Sequence, residues 1–275
     1  MASTAKPVTL ITGASSGIGL ALTRLFAERG HECALVARRE ARLTALADEI
    51  ANAGRKRPHV FALDLAQPDG PERLARELAG RGLEPAIIVN NAGFGLRGDA
   101  ADLDRAEQLA MVDLNVRALT DLSLRFLASL GRHNGGLINI ASLSGFMPGP
   151  GMTVYFAGKA YVLAFSEALH RELRPLGITV TCVCPGPVPT EFQARAGLRE
   201  ELPPFITYSP EEVARNAYNG FRRGKRLVIS GLPNKLAAVL PRFLPRGLVL
   251  RAVEFYQMKA APPKPRQDQD RKGTP

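Results

Sequence analysis

Tyr155 and Lys159 stand four residues apart in "YFAGK", a spacing that on an α-helix stacks both side chains on one face. A phenol beside an ammonium is an acid–base pair. A free tyrosine titrates near pH 10, and a neighbouring positive charge lowers that value toward the range in which protons exchange readily at neutral pH. The competing reading of so short a motif is a plain solvated helix face, and the surrounding sequence decides between them.

Other residues point to phosphate. In "TGASSGIG" the glycines Gly13, Gly17 and Gly19 follow a short apolar run and open a helical pattern. A glycine-rich turn there lets backbone approach a pyrophosphate, while the helix N-terminus supplies free N–H groups and the positive end of its dipole. The spacing is GxxxGxG rather than GxGxxG, and a merely structural glycine turn is the alternative. The end of the second apolar run, where a carboxylate commonly meets the adenine ribose, reads "VARRE". Arg38 and Arg39 would bond a ribose 2′-phosphate, which favours NADP (NADPH) over NAD, unless they only begin a solvated helix.

These residues need a scaffold, and the hydrophobic pattern gives one. "PVTLIT", "CALVA", "HVFALDL", "AIIVNN", "GLINIAS", "ITVTCVCP" and "RLVIS" are continuous apolar runs of strand length, separated by segments with helical periodicity. Alternation of this kind predicts an α/β chain: a Rossmann-like, doubly wound parallel sheet of about seven strands in three α/β/α layers, forming a single domain. Its ligands bind at the carboxyl ends of the strands. The catalytic domain is expected to span residues 1–231, followed by a basic, apolar helical extension over 232–260 and a polar, proline-rich disordered tail over 261–275.

Composition narrows the class. The chain has 275 residues, 45% hydrophobic and 23% charged, enough for a large core. Cys33, Cys182 and Cys184 lie inside apolar runs, and the first residues do not read as a secretion signal, so a reducing cytoplasm is expected. No apolar run is long enough to span a bilayer. The four histidines fall in unrelated elements without ligand spacing, which argues against a metal site. "GASSG" lacks the histidine and acid that acyl transfer would require. The net charge of +10 is carried by the 13 basic and 3 acidic residues from Arg222 onward.

Taken in order, "TGASSGIG", "NNAG" at 90–93, Asn115, Ser142 in "NIASLSG", "YFAGK" and "PGPVPT" make a set far more specific than any one motif, with Ser142 13 residues before Tyr155. Over about residues 8–230 the chain resembles the short-chain dehydrogenase/reductase family. The resemblance implies a nicotinamide cofactor and a catalytic group of Ser142, Tyr155 and Lys159, completed by Asn115 at a break in its helix. Tyr155 would protonate the developing alkoxide, Ser142 would orient it, and Lys159 would also bond the nicotinamide ribose. Asn115 would hold a water in a proton relay, or else be a purely structural buried asparagine. Along the cofactor the resemblance places Gly13, Ser15, Ser16, Gly17, Ile18 and Gly19, then Arg38 and Arg39, then Asp64 and Leu65 near the adenine. Asn91, Ala92 and Gly93 follow, with Asn90 bracing the strands by backbone bonds, and Pro185, Gly186, Val188 and Thr190 lie beside the nicotinamide. Residues 191–208 read as a substrate lid.

The expected activity is reversible ketone or aldehyde reduction, on a hydrophobic or 3-oxoacyl-type carbonyl. A non-catalytic NADP-binding regulator on the same fold, or an epimerase or dehydratase, is the alternative. The partners expected are a small-molecule substrate and a second copy of the chain in a homodimer or homotetramer, paired through the helices near Asn115 and Tyr155. In residues 232–260, Pro233, Pro241 and Pro245 cut the apolar and basic sequence into short helices. These either cover the substrate cleft or meet an anionic membrane or acyl carrier. Nucleic acid fits less well, since stacking aromatics are not interleaved with the charge.

Overall fold

The computed structural model describes residues 5–198 and 204–259. Seven strands form one parallel sheet: β1 (Lys6–Thr12), β2 (Cys33–Ala37), β3 (His59–Ala62), β4 (Leu83–Asn90), β5 (Gly136–Ile140), β6 (Thr179–Val183) and β7 (Leu227–Val228). Their order is β3-β2-β1-β4-β5-β6-β7. The order reverses between β1 and β4, which leaves a crevice at their carboxyl ends.

The helices are α1 (Gly17–Glu28), α2 (Glu40–Asn52), α3 (Gly70–Gly80), α4 (Arg105–Val112), α5 (Leu119–Arg125), α6 (Leu127–Arg132), α7 (Thr153–Leu173), α8 (Glu191–Ala196), α9 (Pro210–Arg222), α10 (Leu232–Val239) and α11 (Arg246–Lys259). Both sheet faces are covered. On one face Ile11, Leu35, Val89 and Ile138 pack with Leu22 and Phe26 of α1 and Val213 and Phe221 of α9. On the other face Leu10, Val36, Ile88 and Leu137 pack with Leu74 of α3, Leu122 of α5 and Leu169 of α7. Successive strand residues thus serve opposite cores, which is why the strands read as unbroken apolar runs.

Two elements are irregular, the first of them at the break expected around Asn115. The long helical pattern after β4 is interrupted at Asp113–Ala118 by a π-helical turn that contains Asn115, where an extra residue breaks the regular hydrogen-bond ladder. The last strand is only Leu227–Val228. It lies on the sheet edge with a single neighbour, β6, and Gly231 at φ 78° then turns the chain away against Tyr208. The expected tail over 261–275 lies outside the described residues.

Candidate active site

α7 begins at Thr153, so Tyr155 and Lys159 stand in its first two turns and both are buried. The Lys159 Nζ donates to the Ile140 carbonyl at 2.7 Å, which ties α7 to the end of β5. It lies 5.7 Å from the centre of the Tyr155 ring. Ser142 follows β5 in extended backbone and caps a 3₁₀ turn over Leu143–Phe146, its Oγ accepting from the Ser144 N–H at 3.1 Å. It is also the group that pulls the pKa of the Tyr155 phenol down.

Burial works on the two titrating groups in opposite senses. It pushes the Tyr155 phenol up to about 12, against a smaller downward pull from Ser142, and it brings the Lys159 ammonium down to about 8. The expected acidification by the lysine is therefore not what sets the phenol: burial raises it, and the downward pull comes from Ser142. Phe192 of α8 lies over the Tyr155 ring with centroids 5.3 Å apart. Val249 and Val253 of α11 join Met152 and Phe156 in the same apolar cluster.

Asn115 is 2% exposed, and both ends of its amide are used. Oδ1 accepts from the Phe94 N–H at 3.1 Å and Nδ2 donates to the Phe94 carbonyl at 2.8 Å. The side chain thus fixes the loop after β4. A Cβ on Gly93 would come within 2.9 Å of the Asn115 Oδ1 and 3.8 Å of the Lys159 Nζ, so glycine keeps that approach open.

The phosphate turn has the shape its sequence suggested. Gly13 and Gly17 take φ of 68° and 55°, and a Cβ on Gly19 would meet the Gly13 carbonyl at 2.3 Å. Ser15 is buried, Ser16 caps α1 in extended backbone, and Ile18 packs at the edge of the core. Asn91 donates through Nδ2 to the Thr12 carbonyl at 2.9 Å, and the Asn91 and Ala92 N–H groups donate to the Thr12 hydroxyl. Asp64 accepts from the Ala66 N–H at 3.0 Å in its own turn, beside buried Leu65. Arg39 donates to the hydroxyls of Ser15 and Ser16, each at 3.0 Å, and pairs with Glu191 at 2.7 Å; Arg42 pairs with the same carboxylate. Arg38 is exposed. The glycine-rich turn, closed to side chains at Gly13 and Gly19, fits the close approach of a dinucleotide.

On the far side, the Pro185 carbonyl accepts from the Leu143 N–H at 3.0 Å, and Gly186 packs against Asn234. Val188 is buried. Thr190 caps α8 and its methyl lies where a Cβ on Gly17 would meet it at 3.0 Å. The lid begins with a helix rather than a loop, and its residues 199–203 lie outside the described ones.

Sequence reasoning missed several contributors. Asn90 braces the strands in the β4–β5 ladder opposite Asn139 and also through its side chain: Nδ2 donates to the Ser123 hydroxyl and to the Asn139 Oδ1, and Asn139 donates on to Ser166. Polar residues inside the apolar runs "AIIVNN" and "GLINIAS" were the available signal. Thr12 and Glu191 carried none, since each acts across a long sequence separation.

With this geometry in place, the chain belongs to the short chain dehydrogenase family, whose pattern matches residues 7–201. Members of this family bind a nicotinamide cofactor, and the chain is an oxidoreductase by that membership. It is 38% identical over 188 residues to sulfoacetaldehyde reductase 2 of Chromohalobacter salexigens, covering 67% of this chain and 74% of that protein. Among solved structures it is similar to a short-chain dehydrogenase from Sphingobium yanoikuyae in complex with NADPH, with TM-score 0.76 and 32% identity over 96% of this chain and 99% of that one. It is also similar to the bulky-bulky ketone specific alcohol dehydrogenase of Comamonas testosteroni, with TM-score 0.72 and 30% identity over 97% and 99%.

Proposed function

We propose that the chain is an NADP(H)-dependent oxidoreductase that reduces a hydrophobic or 3-oxoacyl-type carbonyl, with Tyr155 as proton donor. The observation that carries this is the buried phenol of Tyr155, acted on by Ser142 and with the Lys159 Nζ 5.7 Å from its ring, within an apolar cluster. When bound, the cofactor supplies the hydride. Ser142 hydrogen-bonds the substrate oxygen and sets its direction, and Tyr155 gives that oxygen its proton as negative charge develops there. A phenol held at about 12 by burial keeps its proton at neutral pH and so stands ready as the acid. Lys159, at about 8, is still largely charged near neutrality and stabilises the phenolate left behind.

Three further roles belong to this reading. The Ser15, Ser16, Arg39 cluster holds the 2′-phosphate, with Arg38 nearby. Asp64 and Leu65 bound the adenine, and the 90–93 and 185–190 segments hold the nicotinamide half. The apolar wall of Phe94, Met152, Phe156 and Phe192 favours a hydrophobic carbonyl, as does the similarity to an enzyme for bulky ketones. A homo-oligomer would pair through α4, α5 and α7, where Leu109, Val112, Leu124 and Tyr161 are exposed.

The test is NADPH oxidation over a panel of ketones, ending with 3-oxoacyl thioesters, for the wild type and Tyr155→Phe. The variant should lose roughly 100- to 10,000-fold in kcat, the usual weight of a positioned acid, while still binding NADPH. A wild type as inactive as the variant on every carbonyl would instead indicate a nucleotide-binding regulator.

A further inference from the structure

The segment after β7 is folded with its polarity reversed. In α10 the buried side chains are Asn234 and Ala238, whereas Leu232 and Leu236 are 68% and 62% exposed. Leu232, Leu236, Val239 and Leu240 recur at helical spacing and so share the outward face. Asn234 explains what the inner face is for: its Nδ2 donates to the carbonyls of Ile206 and Ser230, each at 3.0 Å, which anchors the helix through a polar contact and leaves its apolar stripe outside. The turn that follows carries Phe243 at 79% exposure. α11 buries Val249, Val253 and Gln257 and exposes Leu248, Leu250, Phe255 and Tyr256. Ten of the sixteen strongly exposed large apolar side chains among the described residues fall between Leu232 and Tyr256, too dense a concentration for the scattered apolar residues of an ordinary surface.

Charge is interleaved with this surface. Lys235, Arg242, Arg246 and Arg251 are exposed, and among the described residues none of them makes an ion pair. Glu254 is the one acid between Leu232 and Lys259. No helix of the described residues is long and apolar enough to cross a membrane. Apolar side chains flanked by uncompensated cations on short, proline-interrupted helices are the features of a surface that lies on lipid rather than through it.

We propose that α10, α11 and the turn between them dock on an anionic lipid bilayer, the apolar side chains entering the headgroup boundary and the four cations meeting acidic headgroups. A second copy of the chain is disfavoured as the occupant: a two-fold contact would set this face against itself and oppose four cations to four. The docking surface stands apart from the catalytic reading and is measured without turnover. Its inner side is nonetheless the wall of the site, since Val249 and Val253 pack in the cluster that holds Tyr155.

Flotation of the full chain with phosphatidylcholine vesicles, with and without phosphatidylserine, tests this. Binding should require phosphatidylserine and weaken with salt. Leu236→Glu with Phe243→Glu should cut it roughly 10-fold or more. Arg242→Ser, Arg246→Ser and Arg251→Ser should each cost about 5-fold. All these side chains are exposed, and NADPH binding with circular dichroism identifies any variant that fails to fold; because the apolar pair and the arginines are independent, either set suffices. Three results would each overturn the proposal: no flotation of the wild type with acidic vesicles, equal flotation of folded variants, or substitutions that dissociate an oligomer in sedimentation while flotation is unchanged.

Discussion

Arg39 is where the cofactor reading can be measured most directly. Its guanidinium is 42% exposed and touches three things at once, the Ser15 and Ser16 hydroxyls and the Glu191 carboxylate. An ion pair that open to water contributes little, so a phosphate dianion can draw the guanidinium from Glu191 at small cost. A charge-assisted hydrogen bond to that phosphate is worth about 1.5–3 kcal/mol, and exposure puts Arg39 near the lower end. Arg39→Ser should therefore raise the Kd for NADPH by about 10- to 30-fold, since 1.4 kcal/mol is a factor of ten. NADH, which lacks the phosphate, should change by no more than about 3-fold on the same scale. Arg39→Lys keeps the charge but not the planar fork, and should fall between the two. Fluorescence titration of both cofactors against the three proteins gives the numbers. Equal losses for NADH and NADPH would show that Arg39 merely shapes the glycine-rich turn, and an unchanged NADPH affinity would remove the basis for an NADP preference.

Two further outcomes concern the scaffold. At the end of the sheet away from the site, burial alone would raise the Glu32 carboxyl, but Lys6 at 2.7 Å, His59 at 2.8 Å and the Lys56 ammonium at 3.4 Å outweigh it and hold the group at about 2. A depressed acid stabilises the fold above its unfolded value, near 4.5, and that contribution is lost as pH falls toward 2. Glu32→Gln should cost about 2 kcal/mol at pH 7, less than the shift alone implies because its lysine partners are exposed; in urea denaturation the gap to wild type should more than halve by about pH 3, and a gap independent of pH would refute the assignment. In the phosphate turn, Gly19→Ala drives a methyl into the Gly13 carbonyl, 2.3 Å from where its Cβ must sit. It should lower stability by about 1–3 kcal/mol and abolish NADPH binding; an unchanged melting temperature with intact binding would contradict the close approach.

What could be read in advance follows the range of each interaction. The strands were legible because both sheet faces are buried, so β2 appears in the sequence as the unbroken run "CALVA" and in the fold as Cys33–Ala37. Tyr155 and Lys159 were legible because one helix spaces them. The break at Asn115 was legible only through the family resemblance, since the π-helical turn lies inside a helical pattern whose residue types do not mark its extra residue. The Asn90–Asn139–Ser166 chain joins β4, β5 and α7 and can be seen only once those elements are neighbours. Glu191 contacts Arg39 from 152 positions away. The reversed face of α10 was half visible: its basic and apolar residues stood out, but only the burial of Asn234 shows which face is outside.

The opposite shifts of Tyr155 and Lys159 have one origin. Among the described residues neither group is paired with a carboxylate, so burial dominates both; Phe192 of α8 touches the Tyr155 ring and the α11 valines share its apolar cluster. Removing water penalises a phenolate and an ammonium when each stands alone. It also strengthens their attraction whenever both are charged, because the same low dielectric governs desolvation and Coulomb energy. On the proposed reading, burial beneath α8 and α11 keeps the Tyr155 phenol protonated until a substrate oxygen demands the proton, and then makes the Lys159 ammonium most effective at holding the charge left on the phenolate.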